Sequence, residues 1–170
     1  DIIGLSRLDE GSIGDKREEI DLLEIAKETV RILLPSAKEK NITLSVSGDS
    51  AVLFGIPELL NSTVYNLTNN AIIYNRNDGS VSVKVENNKD EIVLSVSDTG
   101  IGIPEEEKER VFERFYRVDK SHSKEMGGTG LGLSIVKHAA KLHNAKIELN
   151  SVIDGGTTVD VIFPKSEVMK

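Results

Sequence analysis

The hydrophobic positions change period several times along the chain, and each change marks a predicted element. Ile2, Ile3, Leu5 and Leu8 within residues 1–10 read as the last turns of a helix that begins outside the chain. So short a helix does not hold itself in water, because nucleation is costly and few hydrogen bonds follow. A polar linker starts at Gly11. From Asp21 to Lys40, the residues Leu22, Ala26, Val30, Leu33 and Ala37 recur at helical spacing, and Pro35 is expected to kink or interrupt the run. Asn41 to Val46 alternates as a strand does, and Ala51 to Phe54 is a second, shorter one. Pro57 suits the first turn of a helix, and Leu60, Val64, Leu67 and Ala71 mark its apolar stripe through Tyr74.

Ser80 to Glu86 and Glu91 to Ser97 alternate apolar with polar residues across Asn87-Asn88-Lys89-Asp90, which predicts a hairpin. Pro104 and three glutamates open a short helix expected to end near Phe115, with acids at the positive end of its dipole. Arg117 to Gly128 is a charged, glycine-terminated loop. Gly130 to His143 has helical spacing, and Lys146 to Val152 pairs with Thr157 to Phe163 across Asp154-Gly155-Gly156. Helices do not alternate one per strand, so a parallel doubly wound sheet fits poorly. The predicted class is α+β, a two-layer α/β sandwich with a mixed, mainly antiparallel sheet and helices on one face.

Composition narrows the function. The 170 residues suffice for one core, and they contain no cysteine, which excludes disulfides, thiolate metal sites and a cysteine nucleophile. With 21 Lys+Arg against 28 Asp+Glu the net charge is −7, which argues against general nucleic-acid binding. No apolar run approaches the ~18 residues of a membrane span, and no signal-peptide pattern opens the chain. A soluble globular domain of a reducing compartment is expected.

The chemistry concentrates in four segments. In Asp98-Thr99-Gly100-Ile101-Gly102-Ile103-Pro104, an acid ends a hydrophobic strand and two glycines follow. The glycines let the backbone approach a flat ligand, and the carboxylate can accept from the exocyclic amine of adenine, whereas guanine offers a carbonyl there. An ordinary strand-to-helix turn capped by Asp would look the same. Gly127-Gly128-Thr129-Gly130-Leu131-Gly132-Leu133-Ser134 runs into a helix, as phosphate-binding turns do. It lacks the lysine of a Walker A loop, since Leu133 stands there, and it lacks the βαβ setting of a dinucleotide fingerprint. A capped flexible loop is the plainer alternative.

Asn66, Asn70 and Tyr74 share one helix face beside the apolar stripe, and two amide oxygens there suit Mg²⁺. Polar residues on a half-exposed face read equally well. Phe112-Glu113-Arg114-Phe115-Tyr116-Arg117 places cations near the charged loop, with Lys120 and Lys124 beyond. His122, His138 and His143 are too scattered for a metal site and read as surface or packing residues.

Taken in order, these segments resemble the catalytic, ATP-binding domain of bacterial sensor histidine kinases, within the gyrase/Hsp90/histidine-kinase/MutL superfamily. Asn66-Leu67-Thr68-Asn69-Asn70-Ala71 matches the N box, and residues 98–104 the G1 box. Residues 112–117 match the F box and 127–134 the G2 box, while Gly155-Gly156-Thr157-Thr158 is similar to the terminal glycine-threonine element. The wording RVDKS and GGTGLGLSIVKH resembles the phosphate-regulon (PhoR-type) branch.

The resemblance implies a Bergerat ATP-binding fold and the cofactors ATP and Mg²⁺. It implies that Asn70 coordinates Mg²⁺ with Asn66 assisting, that Asp98 binds the adenine amine, and that Tyr74 packs near adenine or its sugar. Arg114 and Arg117 would lie by the phosphates, with Asn66, Asn70 and Arg114 forming the catalytic set. Gly128, Thr129, Gly130, Leu131 and Gly132 would form the lid, and Gly100, Gly102, Ile103 and Thr157 would complete the nucleotide contacts. Two positions depart from the family pattern: Ile73 replaces a common lysine, and Ile56 replaces a common acid.

The resemblance further implies that residues 1–10 are the stub of the second helix of a dimerisation domain and 11–19 a linker. Residues 20–166 would be the catalytic domain and 167–170 a tail. No phosphoacceptor-histidine motif is present, so that histidine would lie on a separate helical domain of the same kinase. A response-regulator receiver would be the second partner, and nucleic acid is not expected. The full-length protein would be a homodimer, this domain alone a monomer, and its setting the cytoplasmic side of a membrane-anchored sensor kinase.

Overall fold

A computed structural model describes residues 16–114, 116 and 132–165. Strand β1 (Glu18–Asp21) leads into helix α1 (Leu22–Glu39), followed by β2 (Thr43–Gly48) and β3 (Val52–Gly55). Helix α2 (Pro57–Ile73) precedes the hairpin β4 (Ser80–Asn87) and β5 (Glu91–Asp98). Two short 3₁₀ turns follow, and then helix α3 (Gly132–Leu142) and the hairpin β6 (Lys146–Val152) and β7 (Gly156–Pro164).

The main sheet has the order β2-β4-β5-β7-β6, with β2 parallel to β4 and every other pair antiparallel. The predicted class and mixed sheet are therefore present. Period-2 alternation decides which face is covered. Val81, Val83, Val85, Ile92, Leu94, Val96, Val159, Val161 and Phe163 are buried in the core with Leu22, Ala26, Leu60, Val64 and Val136 of the helices. The opposite face carries polar cross-strand pairs such as Ser95 with Asp160 and Ser97 with Thr158.

Four expectations need correction. Pro35 does not interrupt α1; it lies on the exposed side of the helix, as does Arg31, the residue whose carbonyl loses its partner. Glu18 and Glu19, expected in the linker, belong to β1, which pairs antiparallel with β3 from Glu18↔Gly55 to Asp21↔Val52. The helix expected after Pro104 is two 3₁₀ turns, Glu105–Glu107 and Arg110–Phe112, with one buried residue, Val111. A longer helix needs an apolar stripe to bury, and this acidic stretch has none. The strand expected from Asn41 begins at Thr43, because Asn41 has φ 55° in the turn after α1. The opening segment, the charged loop and the terminal tail lie outside the described residues.

Candidate functional site

Asp98 is the last residue of β5, a central strand, so the sheet fixes its backbone. Its Oδ1 accepts from the backbone N–H of Gly100 at 2.8 Å and of Thr157 at 3.1 Å. Oδ2 has no hydrogen-bond partner among the described residues. Burial raises the carboxyl pKa above its ordinary value, while the two N–H bonds act the other way.

The backbone after Asp98 is pressed against two other elements. A Cβ on Gly100 would sit 2.4 Å from the carbonyl oxygen of Tyr74, which also accepts from the N–H of Ile101 at 3.2 Å. Gly102 adopts φ +77°, and a Cβ there would lie 2.2 Å from the carbonyl oxygen of Val152. Only glycine combines that φ with that approach. Ile103 then donates its N–H to Ser151 Oγ at 2.8 Å, and Ser151 bonds the hydroxyl of Thr157 at 2.8 Å. Asp98, Gly100, Gly102, Ile103, Tyr74 and Thr157 thus meet in one place.

Residues that pattern reading missed hold this turn. Asn75 is buried at 4% exposure; its Nδ2 donates to the carbonyl of Ser80 at 2.9 Å, and its Oδ1 accepts from Arg76 N–H and the Thr99 hydroxyl. Thr99 Oγ1 in turn accepts from Ser80 N–H. Lys40 Nζ donates to the carbonyls of Ile72, Ile73 and Asn75 at 3.1, 2.8 and 3.0 Å, a cation at the negative end of α2. Burial pulls the Lys40 pKa down, yet three carbonyls grip the ammonium form. Arg76 pairs with Asp154 in the β6–β7 turn. Asn75 and Lys40 have no periodic or motif signature; only the tertiary arrangement reveals them.

One turn back along α2, Asn66 is buried and Asn70 half-buried. Asn66 Nδ2 donates to the Ser62 carbonyl at 2.7 Å, leaving Oδ1 on the side of α3. The first residue of α3 packs there: a Cβ on Gly132 would lie 3.1 Å from Asn66 Oδ1 and 3.4 Å from Asn70 Nδ2. The helix N-terminus and two carboxamides therefore form one cradle that any side chain at 132 would fill, and helix N-termini favour phosphate. Among the described residues no cluster of three His, Asp or Glu exists to cage a metal. Amide oxygens supplemented by phosphate and water suit Mg²⁺, so the donor set fits that ion.

Arg114 is exposed just after the second 3₁₀ turn. Beside it, Tyr116 donates to Glu107 and lies under the Arg110 guanidinium, 4.2 Å from the ring centre. Arg117, Gly128, Thr129, Gly130 and Leu131 lie outside the described residues, as do His122, Lys120 and Lys124. His143 is buried just after the last residue of α3.

Residues 55–167 match the family described as histidine kinase-, DNA gyrase B-, and HSP90-like ATPase. The chain belongs to that family. It is 37% identical over 166 residues to the sensor-like histidine kinase SenX3 of Mycolicibacterium smegmatis, covering 97% of this chain and 43% of that protein. It is 36% identical over 167 residues to the sensor protein kinase PmrB of Pseudomonas aeruginosa, covering 98% of this chain and 35% of that one. Among solved structures, the nucleotide-free catalytic domain of histidine kinase ThkA superposes with a TM-score of 0.77 at 25% identity, over 88% of this chain and 96% of that one. The chain thus spans less than half the length of these curated relatives and nearly all of the catalytic domain. It is an ATP-binding domain homologous to the catalytic domains of sensor histidine kinases. Among the described residues, no helix is long and apolar enough to cross a membrane.

Proposed function

We propose that this domain binds Mg-ATP and transfers its γ-phosphoryl group to a histidine on a helical dimerisation domain of the same kinase. Asp98 Oδ2 would accept from the adenine amine, with Tyr74, Gly100, Gly102, Ile103 and Thr157 bounding the base and sugar. Asn70, with Asn66 beside it, would hold Mg²⁺, which supplies charge neutralisation at the phosphates. Arg114, Arg117 and the segment Gly128-Thr129-Gly130-Leu131-Gly132 would face the triphosphate.

The observation that carries the reading is the state of Asn66. The hydrolases of the superfamily place glutamate there as a base for water, whereas an amide accepts no proton at neutral pH. Here its nitrogen is already committed to Ser62. A neutral imidazole needs no base to become a nucleophile. Its ring nitrogen forms the new bond to the γ-phosphorus as the bond to the bridging oxygen breaks, and that oxygen leaves with the electron pair on ADP. Catalysis is then positioning plus charge stabilisation.

The phosphoryl group would pass on to an aspartate of a response regulator. The full protein would be a homodimeric, membrane-anchored sensor of the phosphate-regulon type, with residues 1–10 ending its second dimerisation helix. The test mixes this chain with the isolated histidine-bearing helical domain and γ-labelled Mg-ATP. Acid-labile label on the helical domain is expected. Steady phosphate release with no labelled protein would contradict the reading and favour a hydrolase.

A further inference from the structure

At the end of α3 opposite Gly132, the His143 ring is 7% exposed and sits between two backbone groups. Its Nε2 accepts from the N–H of Ile56, the N-cap of α2, at 3.0 Å, and its Nδ1 lies 2.7 Å from the carbonyl oxygen of Ala139. A backbone N–H can only donate and a carbonyl can only accept, so the two contacts require the neutral ring with its proton on Nδ1. The edge of the ring meets Phe163 of β7 at 6.2 Å between centroids, and Gly55 leaves room for it, since a Cβ there would be 2.8 Å from Nε2. Ile56 has no side-chain cap of its own.

We propose that His143 is a positioning residue for nucleotide binding: neutral, it pins the C-terminal end of α3 to the first turn of α2, and protonated, it releases that pin. The two helices it joins are those that meet again at Gly132 and Asn66/Asn70. Helix α3 has 11 residues. It is therefore a rod about 16 Å long, short enough to carry a tilt at one end to the other. A proton on Nε2 would set two donors face to face at Ile56. Around the ring, β3 contributes Gly55, α2 Ile56 and Leu60, and β7 Phe163, none of them titratable; Arg17, which donates to the Leu142 carbonyl at 2.7 Å, is the charged group that acts on it. Burial holds the His143 pKa below the ordinary imidazole value, the Ala139 bond opposes this, and the Arg17 charge lowers it further. The folded chain thus resists a proton that the unfolded chain accepts, so stability is full above the ordinary value and falls as pH drops through it.

The inference rests on nucleotide binding at the site, and its test separates the two. Affinity for a fluorescent ATP analogue is measured with Mg²⁺ from pH 8 to 5 on the wild-type chain and on His143→Gln, whose amide both accepts and donates but does not titrate. Asp98 titrates in both proteins, so the difference between the profiles belongs to His143. Wild-type affinity should fall roughly fivefold or more relative to the variant as pH drops. By reciprocity, saturating nucleotide should lower the His143 pKa read from imidazole ¹⁵N shifts, a measurement that needs no variant. Binding with coincident profiles and an unmoved pKa overturns the His143 role alone, whereas absence of binding at pH 7.5 overturns the nucleotide reading with it.

Discussion

The backbone N–H of Thr157 donates to Oδ1 of Asp98 at 3.1 Å, across 59 residues of sequence. The Gly100 N–H uses the same oxygen, so Oδ1 is spent on β7 and on the turn after β5, while Oδ2 has no hydrogen-bond partner among the described residues. Asp98 is thereby the knot that joins β5 to β7 and, in the function proposed above, the acceptor offered to adenine.

Asp98→Asn separates those two duties. The amide oxygen can keep both N–H bonds, while the amide nitrogen turns a donor toward the adenine amine. ATP affinity should weaken by about 1–3 kcal/mol in calorimetry, the cost of a mispaired buried polar site. Thermal stability should not fall. Burial raises the Asp98 pKa, so the native state holds that proton more tightly than the unfolded chain does. Ionised Asp98 therefore costs stability at neutral pH, and the variant removes the cost.

Asn75→Ala tests the clamp behind the turn. It would strip the Arg76 N–H of its Asn75 acceptor and take one bond each from the Ser80 carbonyl and the Thr99 hydroxyl, which keep their bonds to each other's residue. Chemical denaturation should show a loss of about 1–3 kcal/mol, with weaker ATP binding in the protein that remains folded. Unchanged stability would mean that the turn holds itself.

Gly102→Ala places a methyl 2.2 Å from the Val152 carbonyl oxygen at φ +77°. The β6 end and the aspartate turn must separate to admit it. A lower melting temperature together with lost nucleotide affinity is expected, whereas Gly155→Ala, whose Cβ would find its nearest atom at 3.2 Å in a side chain, should be the milder change.

Asp21 governs the acid limit on the other side of the molecule. As the N-cap of α1 it accepts from Leu23 N–H and Ala51 N–H at 3.0 Å each and from the Ser50 hydroxyl. Burial pushes its pKa up, but the bonds from Ser50, Ala51 and Leu23 together outweigh that and hold it below the usual carboxylate value. A depressed folded pKa means stability that is present above the unfolded value and lost as pH falls through the folded one. Asp21→Ala should cost about 0.5–2 kcal/mol at neutral pH, and its stability curve should converge on the wild type in acid.

Much of this was legible because alternation and helical spacing leave direct marks. The β4–β5 hairpin shows as Val81, Val83 and Val85 against Ile92, Leu94 and Val96, and the glycines at 100 and 102 show where the chain must come close to another backbone. Strand β1 left no mark, since Glu18-Glu19-Ile20-Asp21 has no repeated apolar face and exists through its pairing with β3. The break of the expected helix after Pro104 depends on what lies beneath it, and among the described residues of that stretch only Val111 is buried. Asn75, Lys40 and Ser151 act through backbone groups far away in sequence, so their roles follow from the assembled fold. For Asn66 the spacing placed the residue on the face it shares with Asn70, while its bond to Ser62 came from the structure.

The central claim is that Asp98 reads the amine edge of adenine. Parallel calorimetric titrations of the chain with Mg-ATP and Mg-GTP test it most directly. Saturable heat with ATP, and none with GTP at the same concentrations, is the predicted result; equal affinity for the two purines would contradict it.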